Sequence, residues 1–124
     1  MKTELTPLQR EVLALCADDY TALAHIVKRV AKGSYWEKPL PRWVQDQTID
    51  LVRALLEYEL ITAGRLRNPN GPEFTRLSLA PSEVVAYINT EWDNLDKTPD
   101  IGDICWFSAT SQGENLVDEL GIRI

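Results

Sequence analysis

The 124-residue chain is 44% apolar and 26% charged, and it carries a net charge of −6 with one histidine and two cysteines. These are ordinary values for a soluble globular protein, and the length suits one domain with a real core. They exclude a disulfide-stapled miniprotein and a cysteine-rich zinc module, and an acidic chain is a poor non-specific binder of nucleic acid or anionic membrane.

The charge is unevenly placed. Residues 1–79 hold 11 Lys and Arg against 10 Asp and Glu, whereas residues 80–124 hold 2 against 9. The basic excess concentrates in Lys28, Arg29, Lys32, Lys38 and Arg42, with only Glu37 among them. No stretch reaches the roughly 20 apolar residues of a transmembrane helix, and no apolar segment follows Lys2 as in a signal peptide. The expectation is a cytoplasmic protein with no membrane partner.

In chain order, Thr6 is a suitable N-cap, Pro7 suits the first helical position, and Gln9 completes a capping box. Leu8, Val12, Leu15 and Cys16 then repeat at helical spacing behind a Leu5 staple. A second helix is expected over residues 20–32, with Leu23, Ile26, Val27 and Val30 inward and Gly33 as its stop. Lys28, Arg29 and Lys32 crowd its last turns, where cations also suit the helix dipole. Pro39 and Pro41 make residues 34–41 a loop containing Tyr35 and Trp36.

The third helix is expected from about Arg42 to Tyr58. Val44, Thr48, Leu51, Val52, Leu55 and Leu56 face inward, and Arg42, Gln45, Asp46 and Gln47 face outward, followed by Asp50 and Arg53. Residues 61–67 and 74–79 read as strands around the turn signal Asn68-Pro-Asn-Gly-Pro72, and Arg65, Arg67 and Arg76 decorate this hairpin. Pro81 opens a fourth helix carrying Val84, Val85, Ile88 and Trp92. Residues 93–103 read as an acidic loop, 104–109 as a short buried strand, and 111–120 as a last helix.

The expected fold is therefore α+β and mainly helical, in one domain. Residues 1–79 supply a three-helix core and hairpin. Residues 80–124 supply an acidic element, either appended or inserted, with an extra helix and a C-terminal strand and helix. Three helices followed by a hairpin resemble the order of a winged-helix module. The segment Leu51-Val-Arg-Ala-Leu-Leu-Glu-Tyr-Glu-Leu-Ile61 resembles the end of a winged-helix recognition helix entering the first wing strand. The segment Trp106-Phe-Ser-Ala-Thr-Ser-Gln-Gly-Glu-Asn-Leu116 is similar to a wing strand ending in Thr-x-x-Gly before a C-terminal helix. A compact winged helix has one wing hairpin, whereas here residues 74–79 and 104–109 are both available as its second strand. If the latter serve, residues 68–103 are an insertion.

That resemblance implies that the third helix enters the major groove of duplex DNA. Arg42, Gln45, Gln47 and Arg53 have side chains suited to base edges. Lys28, Arg29, Lys32 and Lys38 would then meet phosphates, and Arg65, Arg67 or Arg76 would reach along the wing. Each is equally an ordinary solvated surface residue, and Asp46 and Asp50 on the same helix repel phosphate.

Trp43, Trp92 and Trp106 lie in expected elements and read as core. Trp36, in its proline-bounded loop, is either an exposed anchor or a loop clamp. His25 has no nucleophile or carboxylate beside it in the pattern, which gives it a structural or solvent-facing role. The acidic run Glu91, Asp93, Asp96, Asp100, Asp103 lacks the glycine and spacing of an EF-hand loop. No phosphate-binding loop, metal spacing or cofactor motif is present, and the cysteines read as free buried thiols.

Two readings of function follow, both non-enzymatic. The first is a winged-helix regulator-like protein that binds duplex DNA weakly or as a homodimer. The second is a protein-interaction module, antitoxin-like or immunity-like, that has lost DNA binding. In it Trp36, Glu91, Asp93 and Asp96 receive a basic protein partner. A small-molecule sensor would require a pocket, which sequence cannot display.

Overall fold

A computed structural model describes residues 4–67 and 73–124, so the turn expected at 68–72 lies outside the described residues. Among the described residues the chain forms five α-helices and a four-stranded antiparallel sheet, an α+β fold. No described helix is long and apolar enough to cross a membrane.

Helix α1 spans Pro7–Asp18 and starts as its sequence dictates. The Gln9 amide N–H donates to Thr6 Oγ1 at 3.1 Å, and the Thr6 N–H donates to Gln9 Oε1 at 2.9 Å. A two-residue strand, β1 (Thr21–Ala22), then precedes α2 (Leu23–Ala31), so the second helix begins three residues later than its periodicity suggests. Two residues carry no readable alternation; their strand exists only because β4 pairs with it. His25 has a structural role here, its Nδ1 accepting the Ala22 N–H at 3.1 Å at the start of α2. The α2 stop is also displaced. The left-handed φ falls on Lys32, at 51°, and not on Gly33, and a 3-10 turn over Lys32–Trp36 replaces the expected loop start.

Helix α3 spans Arg42–Glu57 and ends with Glu59 in the left-handed region at φ 59°. The Leu60 N–H reaches back to the Leu55 carbonyl at 3.0 Å, and Leu60 itself is buried. This backward bond and buried side chain make a Schellman-type ending, with glutamate where glycine is usual. Strand β2 (Ile61–Arg67) follows, then β3 (Glu73–Arg76), α4 (Pro81–Leu95), β4 (Trp106–Ala109) and α5 (Ser111–Leu120).

The sheet order is β1-β4-β2-β3. Both segments that could partner β2 do so, one on each edge: Ile61 pairs with Ala109 through β4, and Arg67 with Glu73 through β3. The C-terminal strand is thus inside the sheet, and β3 with α4 is inserted between two neighbouring strands. Helices α1 and α5 pack on β4, α3 packs on β2, and α4 packs along α3. The core gathers Leu13, Leu23, Ile26, Leu55, Ile88 and Phe107, all essentially without exposure.

The Thr110-x-x-Gly113 segment earns its residues by this packing. Thr110 caps α5, accepting the Gly113 N–H, while its own hydroxyl donates to the Glu59 carbonyl at 2.6 Å. Gly113 lies so close to the Leu60 carbonyl that any Cβ would collide with it. One cap therefore ties the start of α5 to the end of α3.

Candidate functional site

Helix α4 packs against the N-terminal half of α3, and this contact reorganises the residues expected to read DNA. Gln45 is not an outward base reader. It is buried, with Nε2 donating to Asn89 Oδ1 at 3.2 Å and to Asp93 Oδ1 at 3.0 Å. Its periodicity places it at the border of the inner face, and the inserted helix covers that border. Asp93, in turn, belongs to α4 and not to a loop, and its Oδ1 also lies 3.6 Å from Arg42 Nη1. Arg42 Nε sits 3.3 Å from Asp46. The first turn of α3 is thereby held by its own acidic neighbours.

Other candidate cations are similarly engaged. Arg29 Nη1 pairs with Glu11 at 2.8 Å, and Arg53 Nη1 lies 3.4 Å from Asp50. Arg65 donates to the Tyr87 hydroxyl at 3.0 Å. The hairpin arginines do not share a surface. Opposed residues of an antiparallel pair face the same way and neighbours alternate. Arg65 and Arg67 therefore lie on one face, while Arg76, opposite Gly64, lies on the other. Lys32, Lys38, Gln47, Arg67 and Arg76 are exposed, with no ion pair or side-chain hydrogen bond among the described residues.

The basic turn is divided between two clefts. Lys28, Arg29 and Lys32 line one of about 690 Å3, whose opposite wall carries Glu11, Asp18 and Asp19. Lys38 lines the other, of about 660 Å3, together with Trp36, Gln45, Asp93 and Asp96. This second cleft unites residues from both expected lists.

Its walls follow from local sequence. Pro39 and Pro41 bar a regular helix between the 3-10 turn and α3. The chain bends at Lys38 and Pro39, and Trp36 is 73% exposed at the cleft. The Tyr35 and Trp36 rings meet edge to face at 5.1 Å and 84°. The ammonium of Lys28 lies 5.9 Å from the centre of the Tyr35 ring. Opposite, α4 ends at Asp96, whose left-handed φ of 56° terminates the helix. Aspartate adopts that conformation more readily than most residues. Buried Trp92 forms the apolar side.

Beyond Asp96 the chain is clipped by charge. Lys97 Nζ lies 3.3 Å from Asp100 and 3.4 Å from Asp103, and Asp103 accepts the Asp100 N–H at 2.9 Å. That backbone bond, with Lys97 beside it, holds the Asp103 carboxyl below its usual range. Bonds to Asp100 and Asp103 raise the Lys97 ammonium in turn. These pairs leave Glu91 and Asp96 as exposed carboxylates of α4 and its cap with no ion-pair partner among the described residues.

The cleft thus combines three carboxylates and the Gln45 amide with an aromatic wall, and Lys38 and Lys97 also line it. Tyr35, Lys97 and Asp100 were not among the expected site residues. Their signals were present: an aromatic pair before two prolines, and acidic residues three and six positions after a lysine. Trp43, expected in the core, is 43% exposed, because α4 covers the α3 flank bearing Gln45 and not the one bearing Trp43. Among the described residues no three His, Cys, Asp or Glu side chains group to hold a metal ion. The two cysteines are free and buried, and burial pushes each thiol up to about 12.

No protein-family model, curated protein or solved structure matches this chain.

Proposed function

We propose that this protein is a non-enzymatic interaction module of winged-helix type whose third helix is masked by its own acidic insertion, and that it binds a basic segment of a partner protein. In this reading β2 and β4 are the wing strands, and β3 with α4 is the insertion between them. The observation that carries it is the inward turn of Gln45 onto Asn89 and Asp93, with Arg42 drawn to the same carboxylate. A duplex approaching the start of α3 would meet α4 and the free carboxylate of Asp96 before any base edge. Phosphate contacts dominate the affinity of DNA binders, so carboxylates at that approach oppose the largest favourable contribution.

Titration calorimetry with an oligolysine octapeptide and with a 20-base-pair duplex, each at low and at physiological salt, tests the proposal. The peptide binds, weakens with salt, and is lost in the Glu91→Lys/Asp96→Lys variant, whereas Lys28→Ala/Arg29→Ala changes little. Asp93 is left intact because it already accepts from Gln45 and faces Arg42. Duplex binding at low salt, abolished by the Lys28/Arg29 changes, would establish the DNA-binding reading in its place.

A further inference from the structure

We propose that the cleft between Trp36 and the end of α4 is a receptor for an arginine side chain of the partner, with the guanidinium taken by Asp96 and Gln45 Oε1 and flanked by the Trp36 ring. The inference rests on the reading of the chain as a binder of basic segments, and it names the residue recognised.

Three independent observations converge on a planar cation. The first is Gln45. Asp93 can only accept hydrogen bonds, so the Gln45 amide nitrogen must face it. Both its N–H groups are then spent on Asn89 and Asp93. Among the described residues nothing donates to Oε1, although Gln45 is only 7% exposed and lines the cleft. Oε1 itself is not fully buried, so it remains an accessible acceptor for a ligand in the cleft.

The second observation is Asp96, an exposed carboxylate on the same cleft with no ion-pair partner among the described residues. Asp93 and Asp100, by contrast, already face Arg42 and Lys97. The third is the aromatic wall. Trp36 is the most exposed large hydrophobic residue described, and the ring beside it already holds the Lys28 ammonium. Exposed tryptophan faces attract cations, and arginine stacks on them while its fork donates in the plane. Lysine offers a point charge that can sit over a ring and bridge acceptors, as Lys28 and Lys97 do. It lacks the planar fork that stacks on an indole while donating in its own plane. The cleft volume, about 660 Å3, lies within the roughly 300–1,000 Å3 typical of ligand pockets.

The test compares oligoarginine and oligolysine octapeptides on the full chain, by titration calorimetry and Trp fluorescence. Oligoarginine binds about tenfold tighter, the size expected of one stacked, desolvated cation. Trp36→Ala and Asp96→Asn each remove most of that preference. Neither strains the fold, since Trp36 is exposed and asparagine accepts a left-handed φ. Gln45→Leu, checked for folding by circular dichroism, should remove it as well. Equal affinity for both peptides, or a preference that survives Trp36→Ala, overturns the arginine assignment while leaving the basic-partner reading standing. Failure of both peptides to bind at low salt overturns both.

Discussion

Single residues in this chain are fixed by contacts that lie far away in sequence. Gly113 is required because the first turn of α5 rests on the Leu60 carbonyl, which leaves no room for a Cβ. Gly113→Ala should cost about 1–3 kcal/mol, the usual penalty of overpacking, with the upper end favoured by a backbone neighbour. A urea midpoint unchanged from the parent would show that α5 can shift to admit the methyl group. Glu59 presents the reverse case, a side chain where glycine would serve better. It is exposed and holds φ at 59°. Left-handed backbone costs a substituted residue about 1–2 kcal/mol, partly offset by the entropy glycine loses on folding. Glu59→Gly should therefore stabilise the fold by up to about 1 kcal/mol in the same urea assay, and a lower midpoint would contradict this account of the α3 ending. The Thr-x-x-Gly spacing was legible in the sequence. The reason for its glycine was not, because Leu60 reaches it only after β2 and β4 have paired.

At the scale of elements, periodicity located α1, α3 and α5 nearly to the residue, and Ile61–Arg67 as a strand. Each of these buries a continuous apolar stripe or face, so its local pattern and its environment agree. Short elements lacked that agreement. Thr21–Ala22 offers no alternation, and the polar residues of Asp93–Leu95 suggest a loop, although α4 continues through them. What holds α4 to α3 is chiefly burial. Ile88 is fully buried, whereas Arg42 is 68% exposed where it pairs with Asp93. Ile88→Ala should thus cost about 2–5 kcal/mol. Arg42→Ala should cost less than about 1 kcal/mol, as exposed ion pairs do. If the two variants unfold at similar urea concentrations, charge and not packing anchors the insertion.

For the whole molecule, the two buried thiols should steepen the loss of stability at alkaline pH. Each has its ionisation pushed from 9.0 to about 12 by burial. Between those values the unfolded chain has released protons that the folded chain retains, so raising the pH favours unfolding. The loss approaches about 1.4 kcal/mol per pH unit for each thiol above pH 9, and little of it is felt below that pH. A Cys16→Ala/Cys105→Ala variant should show a flatter decline from pH 9 to 11, whatever its stability at pH 7. An equally steep decline in that variant would assign the alkaline limb to other groups.

The division of charge along the chain, the core-facing stripes and the α+β class were determined by the sequence itself, because composition and periodicity are local properties that every neighbouring environment must accommodate. Tertiary structure alone decided which strand joins β2 on each edge, that Gln45 turns inward, and that Lys38, Trp36 and Asp96 line one cleft. Those outcomes depend on where α4 lands, and a helix chooses its neighbour by the surface it meets after folding, not by the residues beside it in the chain.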